Sequence, residues 1–331
     1  MNIRASAPGK IVLCGEYAVL DGAPAIVMAV DSRARVEFSE SETDCHVVRC
    51  KGYADGQYSF NVNDKNEFVW MSASPELSLL EQAWRSTAGP LTPALSIDLD
   101  TESFFDPSSG RKLGLGSSAA IAAALFAAFG SLTKKSTCLD EAIAIHRHYQ
   151  GERGSGIDVA AAIFGGVSEF RMGEPASVRR LDWPAKLDYA VLWSGSSSST
   201  TQKIESFDRR VERHDSRDRL AKASADIVTA WPGAGVAHII DLISVYVQVL
   251  RQFSDDHDLG VFDGGHSEVS TLAADYGVVY KPCGAGGGDV GIVLSANAQA
   301  VDEFASVAAE LGFRRLELKI DNTGLIAEKS A

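Results

Sequence analysis

Residues 112–130, KLGLGSSAAIAAALFAAFG, constrain the fold more than any other stretch of this chain. From Ser117 to Gly130 there is no charged residue and alanine dominates. Alanine is the strongest helix former, and a helix that is apolar all round must be enclosed by protein on every side. The glycines just before it let the backbone turn tightly and let other groups approach closely. The first amides of any helix lack intrahelical partners and carry the positive end of its dipole. Lys112, Gly114, Leu115, Gly116, Ser117, Ser118 and Ala119 are therefore candidate anion-binding residues, here for a phosphate-bearing cofactor. Ser117 and Ser118 either cap the helix or add hydroxyls to that cradle.

The 331 residues suffice for about two domains. Lys plus Arg number 31 against 44 Asp plus Glu, a net charge of −13. Bulk electrostatics thus give no support to nucleic-acid or anionic-membrane binding, and an anionic ligand needs a local positive site. Five cysteines, with no C-x-x-C pair, argue against a disulfide framework or zinc ribbon and point to a reducing cytoplasm. The N-terminal apolar run is cut short at Gly15 and Glu16, too early for a secretory signal, and no run reaches the ~18 apolar residues of a spanning helix. The expectation is a cytoplasmic protein without a membrane segment, monomer or homodimer.

Alternation and turn residues predict strands over 3–7, 24–38, 45–50 and 57–62, joined as an antiparallel meander, then a helix at 75–87 and a strand at 95–100. After the helix from Ser117, a helix at about 138–150, a short helix from about Asp158 and a strand at 167–170 follow. Residues 171–187 are polar and contain proline, which predicts a boundary between domains 1–175 and 176–331. Beyond it come a strand at 189–195, a helical region at about 200–257 broken at Trp231-Pro232-Gly233, and a helix at 265–276. Strands at 277–282 and 290–295, a helix at 297–311 and a strand near 313–319 complete the chain. The class is α+β with mixed or antiparallel sheets.

Two nucleotide motifs are absent. Gly9-Lys10 is followed by Ile11, so no Walker pattern exists, and the DPSSGRK before Gly114 cannot be the buried first strand of a dinucleotide-binding fold. Two further glycine-rich segments stand out. KPCGAGGGD at 281–289 lies between strands and is either a loop passing close to a ligand or a turn packed on the helix at 117. APGKIVLCGEYAVL at 7–20 sets Lys10 in a turn.

In order, wording and spacing these three segments resemble the signature motifs of the GHMP kinases, and the resemblance runs from residue 7 to residue 295. The wording of 112–120 and 281–289, with WSGSSSSTTQKI at 193–204, is most similar to the phosphomevalonate kinase branch. The resemblance implies the GHMP kinase fold: two α/β halves with mixed and antiparallel sheets and a nucleotide cleft between them, residues 1–175 binding ATP and 176–331 binding substrate. It implies ATP and Mg²⁺ as cofactors and a small phosphorylated substrate, converted from 5-phosphomevalonate to 5-diphosphomevalonate in isoprenoid synthesis. Mevalonate kinase, a mevalonate-diphosphate-type decarboxylase and a noncatalytic nucleotide-binding homologue are the alternatives. Lys10 matches the first-motif lysine. Asp158, in the GSGID of 154–158, matches the catalytic aspartate. Ser118 matches the serine that supports Mg²⁺, with Glu152 a second candidate ligand or else an ion-pair partner for Arg147 or Arg153.

Phosphoryl transfer needs two anions positioned in line and charge neutralised on the transferred group, which Lys10 would assist. Asp158 would act as base toward an alcohol; toward a phosphomonoester, with a second pKa near 6, a base matters less. A phosphorylated acceptor needs a second anion site. Candidate substrate-binding residues are Ser155, Gly156, Ser196, Ser197, Thr200, Gly284, Ala285, Gly286 and Asp289, with Lys203 or Lys281 as counter-charge. His146 and His148, two apart on a helix, point in different directions and are read as core or surface residues.

Overall fold

A computed structural model describes residues 2–65, 67–71, 77–87, 93–134, 138–152, 154–197 and 215–330. Two long strands, β1 (Asn2–Cys14) and β2 (Ala25–Glu40), pair antiparallel and form the spine. Residues 25–30 of β2 are all buried, and beyond them buried and exposed residues alternate, as they do when a strand leaves the interior for a one-sided sheet. β3 (His46–Lys51), β4 (Gly56–Val62) and β5 (Phe68–Trp70) form hairpins, followed by α1 (Ser78–Thr87) and β6 (Leu95–Asp100). The expected meander is interrupted here: β6 lies between β2 and β3, parallel to β3 and antiparallel to β2. A parallel pair needs a long crossover, and β4, β5 and α1 supply it.

Against this sheet lie α2 (Ser117–Thr133), α3 (Leu139–Tyr149) and α4 (Ile157–Phe164). Every residue of α2 from Ala119 to Gly130 is buried, as its all-round apolar sequence requires. It packs on β1 and β2 on one side and on α1 and α4 on others. β7 (Val167–Arg171) pairs with β2, and β8 (Ser177–Leu181) pairs with β7.

A second, antiparallel sheet holds β9 (Asp188–Trp193), β10 (Val279–Pro282), β11 (Val290–Ser295) and β12 (Arg314–Leu316) in the order β10-β11-β9-β12. Around it lie α5 (Asp215–Ala230), α6 (Val236–Asp256), α7 (His266–Leu272) and α8 (Ala298–Glu310). The break at Trp231-Pro232-Gly233 separates α5 from α6 as expected. By length and hydropathy α6 is the one described helix able to cross a membrane. Its apolar residues recur at helical spacing, Ile239, Ile243, Tyr246, Leu250 and Phe253, and are buried in the core.

The boundary expected at 175/176 falls inside the β7–β8 hairpin. The polar composition of 171–187 reflects an edge strand: among the described strands β8 pairs only with β7, and its Arg179 reaches across to Glu169 of β7 while Arg180 donates to the Asn322 carbonyl at 3.1 Å. A last strand, β13 (Ile326–Ser330), returns to pair with β1, and the Arg33 guanidinium ties this return to β2 by pairing with Asp321 and donating to the Gly324 carbonyl at 2.7 Å. The C-terminal segment therefore contributes to both sheets, and a contiguous apolar core joins them.

Within this core His46 stacks on Phe60 and meets the edge of Trp84, and its Nδ1 accepts a hydrogen bond from the Leu95 amide at 2.9 Å. Burial pushes its pKa down to about 4 from 6.5. Between those values the unfolded chain binds a proton that the folded chain does not, so stability falls as pH drops from about 6.5 to 4. The expected loss is up to about 3 kcal/mol. His46→Gln, which keeps an acceptor without titrating, flattens the pH profile of the urea midpoint.

Candidate active site

β1 carries Lys10 directly beneath the glycine-rich loop before α2. The Lys10 amide donates to the Leu115 carbonyl at 2.8 Å. At Gly9 a Cβ would lie 2.7 Å from that same oxygen, so only glycine permits this crossing. The Lys10 stem runs along Gly116, whose Cβ position is 3.1 Å from the lysine Cγ and Cε, and Gly116 itself has φ +81°. The Cβ position of Gly284 is 3.5 Å from Lys10 Nζ. The Nζ stands 3.6 Å from Asp158 Oδ1, with both side chains mostly buried. Segments far apart in sequence thus converge on one ammonium group.

Two helix starts face this point. α2 begins after Gly116 and α4 after Gly156, both left-handed glycines with no side chain to cap the helix, and the Ile157 amide of α4 donates to Ser155 Oγ at 3.3 Å. The first amides of α2 are available to an anion, and the α4 dipole favours the Asp158 carboxylate in its first turn. Gly156 is required because a Cβ there would press on Ile143 at 2.8 Å. Arg147 holds the loop before α4 by donating to the carbonyls of Gly154 at 2.8 Å and Ser155 at 3.1 Å. A cleft opens beside the pair, lined by Lys10, Glu16, Tyr17, His146, residues 154–158 and Gly284-Ala285.

The wall of that cleft corrects one sequence expectation. Lys281 is fully buried and pairs with Glu16, also buried, while donating to the Val12 carbonyl at 3.1 Å. Tyr246 donates to the other Glu16 oxygen at 2.8 Å and accepts from the Gly15 amide at 2.9 Å. Burial opposes charge on Lys281, but Cys283 and Glu16 more than offset it and its pKa is raised. Its charge is consumed in the interior, so it cannot serve as counter-charge for a second phosphate. The next residue, Tyr17, with φ +59°, donates to the Ala285 carbonyl at 2.8 Å and ties the β1 turn to the third motif.

Other expected residues fall as follows. Gly114 packs against Asp289, leaving no room for a Cβ, which locks the loop before α2 to the 281–289 loop. The Gly286 Cβ position presses on Val261. Ser196 bonds Ser194 and accepts from the Asp289 amide at 2.8 Å, so it serves the turn beside the loop; Ser197 stands next to Gly288. Thr200 and Lys203 lie outside the described residues. Lys112 places its ammonium 5.1 Å from the centre of the Tyr53 ring, at the rim of an apolar slot. That slot is lined by Leu79, Leu80, Leu99, Ile121 and Leu125 and reaches Ser117 and Ser118. Glu152 is exposed and bonded to His148 at 3.0 Å, outside the cleft lining, which removes it as a metal ligand.

His146 was expected to be a core or surface residue with no part in the site. Its Nε2 lies 3.0 Å from Ser118 Oγ, and it lines the cleft. Burial pushes its pKa down to about 4, with nearby Asp158 opposing and Lys10 reinforcing the shift, so the ring is neutral at pH 7. The signal was the inward face of α3: Ala142, Ile143 and Ile145 are buried, and His146 is a polar residue on that face.

No cluster of three or more His, Cys, Asp or Glu able to hold a metal occurs among the described residues. A hydroxyl at Ser118 and a carboxylate at Asp158 suit Mg²⁺ that arrives on phosphates and keeps several waters, not a resident ion in a protein cage.

Residues 79–166 match the family model described as the GHMP kinases N terminal domain. The chain is 29% identical to a phosphomevalonate kinase of Streptomyces sp. (strain CL190), over 87% of this chain and 88% of that protein. It is 31% identical to a mevalonate kinase of Pyrococcus abyssi, over 63% of this chain and 62% of that one. The fold superposes on a Listeria innocua protein with a TM-score of 0.86, at 19% identity and full coverage of both chains. It also superposes on a Streptococcus pneumoniae phosphomevalonate kinase in complex with phosphomevalonate and AMPPNP, with a TM-score of 0.79 at 19% identity over 96% of this chain and 99% of that one.

Lys281→Met leaves Glu16 buried without its partner and is expected to cost about 3–5 kcal/mol of folding stability, read from the urea midpoint. Lys10→Met leaves Asp158 without its partner but open to the cleft, so it is expected to cost less stability than Lys281→Met and to lower turnover by at least ~10²-fold.

Proposed function

We propose that this chain, a GHMP kinase by its N-terminal domain and its fold, transfers the terminal phosphoryl group of ATP to 5-phosphomevalonate in isoprenoid precursor synthesis. The observation that carries the reading is the Lys10–Asp158 pair set beside the starts of α2 and α4. The polyphosphate lies over residues 114–119, where unpaired amides meet it, and the base enters the apolar slot between Tyr53 and Leu125. The acceptor occupies the cleft beneath Tyr17 and Ala285. Lys10 sits where charge spreads during transfer and stabilises it from a fixed, poorly solvated position. Bound Mg²⁺ would neutralise polyphosphate charge, and Ser118 would hold it.

For a phosphomonoester acceptor, Asp158 orients the attacking group and its role as base is small, because the ester is largely dianionic above pH 6. The preference for this acceptor rests on the wording of the three motifs and on the length of the match to the Streptomyces enzyme. A second reading, a mevalonate kinase, is favoured by one observation: among the described residues Lys10 is the only cationic side chain lining the cleft. An alcohol acceptor then needs Asp158 as its base. The setting we propose is the cytoplasm, which suits five unpaired cysteines.

ADP release measured in parallel with mevalonate, 5-phosphomevalonate and 5-diphosphomevalonate, with carbon dioxide followed in the same vessels, separates the readings. Release with the monophosphate alone and no carbon dioxide is the expected result. Release with mevalonate alone supports the second reading, and nucleotide binding without turnover on any of them sinks both. Asp158→Asn should retain a larger fraction of wild-type rate at pH 8 than at pH 5.5, because the acceptor is deprotonated at the higher pH. No turnover at either pH counts against the phosphomonoester.

A further inference from the structure

His146 has no part in the chemistry described so far, yet it is one of few polar side chains buried against the start of α2. Its side chain is 2% exposed, and it reaches from α3 to Ser118, where Nε2 and Oγ stand 3.0 Å apart. Gln150, one turn further along α3, lines the same cleft. A serine hydroxyl has one proton and two lone pairs, and it can offer either to whatever lies in front of it. A cation needs the lone pairs. Whichever group takes the proton decides what the serine presents to the cleft, and an imidazole nitrogen behind the hydroxyl is placed to take it.

We propose that His146 is a positioning residue whose Nε2 accepts the Ser118 hydroxyl proton, turning the oxygen lone pairs toward the phosphate-bound Mg²⁺. The ring then carries its own proton on Nδ1. This follows the common pattern in which a group behind a metal ligand fixes its orientation, and whose loss costs about 10–100-fold in metal affinity. The geometry also accounts for the choice of residue. Every other buried position on this face of α3 is apolar, and a polar ring there is tolerated because the serine satisfies it. The inference rests on the ATP-and-Mg²⁺ reading above and deepens it.

The test is calorimetric binding of a nonhydrolysable ATP analogue, with and without Mg²⁺ and with no acceptor present, on the full chain. Two substitutions keep a polar side chain at 146 and differ in reach. In His146→Gln the terminal oxygen extends to the Nε2 position, and in His146→Asn it does not. We expect His146→Gln to bind the Mg²⁺ complex within about threefold of wild type and His146→Asn to lose about tenfold or more. Both should bind the Mg²⁺-free analogue within about twofold of wild type. Adding His146→Asn to Ser118→Ala should weaken Mg²⁺-complex binding no further than Ser118→Ala alone. Equal losses for Gln and Asn, an equal loss without Mg²⁺, or additive losses in the double variant overturn the positioning role while leaving the kinase reading intact. Wild-type protein that binds no nucleotide in either condition overturns both. Thermal midpoints recorded on the same samples identify a folding defect, in which case the Gln variant alone decides: wild-type Mg²⁺ dependence supports the role and a tenfold loss removes it.

Discussion

The structure depends on a crossing in which β1 passes against the loop before α2 with no side chain between them. Gly9, Gly114 and Gly116 each sit where a Cβ would collide with or crowd another backbone or side chain. The hydrogen bond from Lys10 to Leu115 holds the crossing at 2.8 Å. Because the backbones are this close, a lysine projecting from β1 emerges beside the α2 start and beside Asp158 at once. A larger residue at Gly9 would press on the Leu115 carbonyl, one at Gly116 on the Lys10 stem, and one at Gly114 on Asp289 of the neighbouring loop. At Gly9 the lack of bulk decides, whereas Gly114 and Gly116, both with φ +81°, also need the conformational freedom of glycine.

A second constraint joins the two sheets. Glu16, Lys281 and Tyr246 come from the turn after β1, from β10 and from α6, and they satisfy one another in the interior. Two charges are costly to bury, and their mutual attraction does little more than offset that cost, so such a pair is better understood as fixing geometry than as adding stability. The geometry it fixes is that of the Gly15–Tyr17 turn, which forms one wall of the cleft and reaches the third glycine loop through Tyr17 and Ala285. Because this pair is neutral overall, Lys10 is left as the one cationic side chain among the described residues lining the cleft.

Much of the site was legible because each motif carries its chemistry in adjacent residues. A glycine-rich turn feeding an apolar helix marks a helix start beside it, as α2 shows, and the GSGID turn draws attention through its likeness to the family motif. The contributions of Glu16 and His146 were not legible. Glu16 looks like an ordinary turn residue until α6 and β10 close over it, and His146 was judged against His148, its neighbour on the helix, when its partner is Ser118 on another helix. Lys281 was misread for a related reason. A lysine next to a glycine loop suggests a free charge, and only burial beside a carboxylate shows that the charge is already matched.

The sequence by itself determined most of the local elements and the glycine-led start of α2, because helix propensity, alternation and glycine spacing act over a few residues. It also carried the resemblance to the GHMP kinases, since the motifs are contiguous. Tertiary structure alone decided that β6 inserts between β2 and β3, that β8 and β13 belong to the first sheet, and which charged residues face the cleft. Strand order and the pairing of buried charges depend on contacts between residues far apart in the chain, as in β1 with β13, where Asn2 pairs with Ser330. Competition among all possible partners resolves such contacts, and no local pattern encodes its outcome.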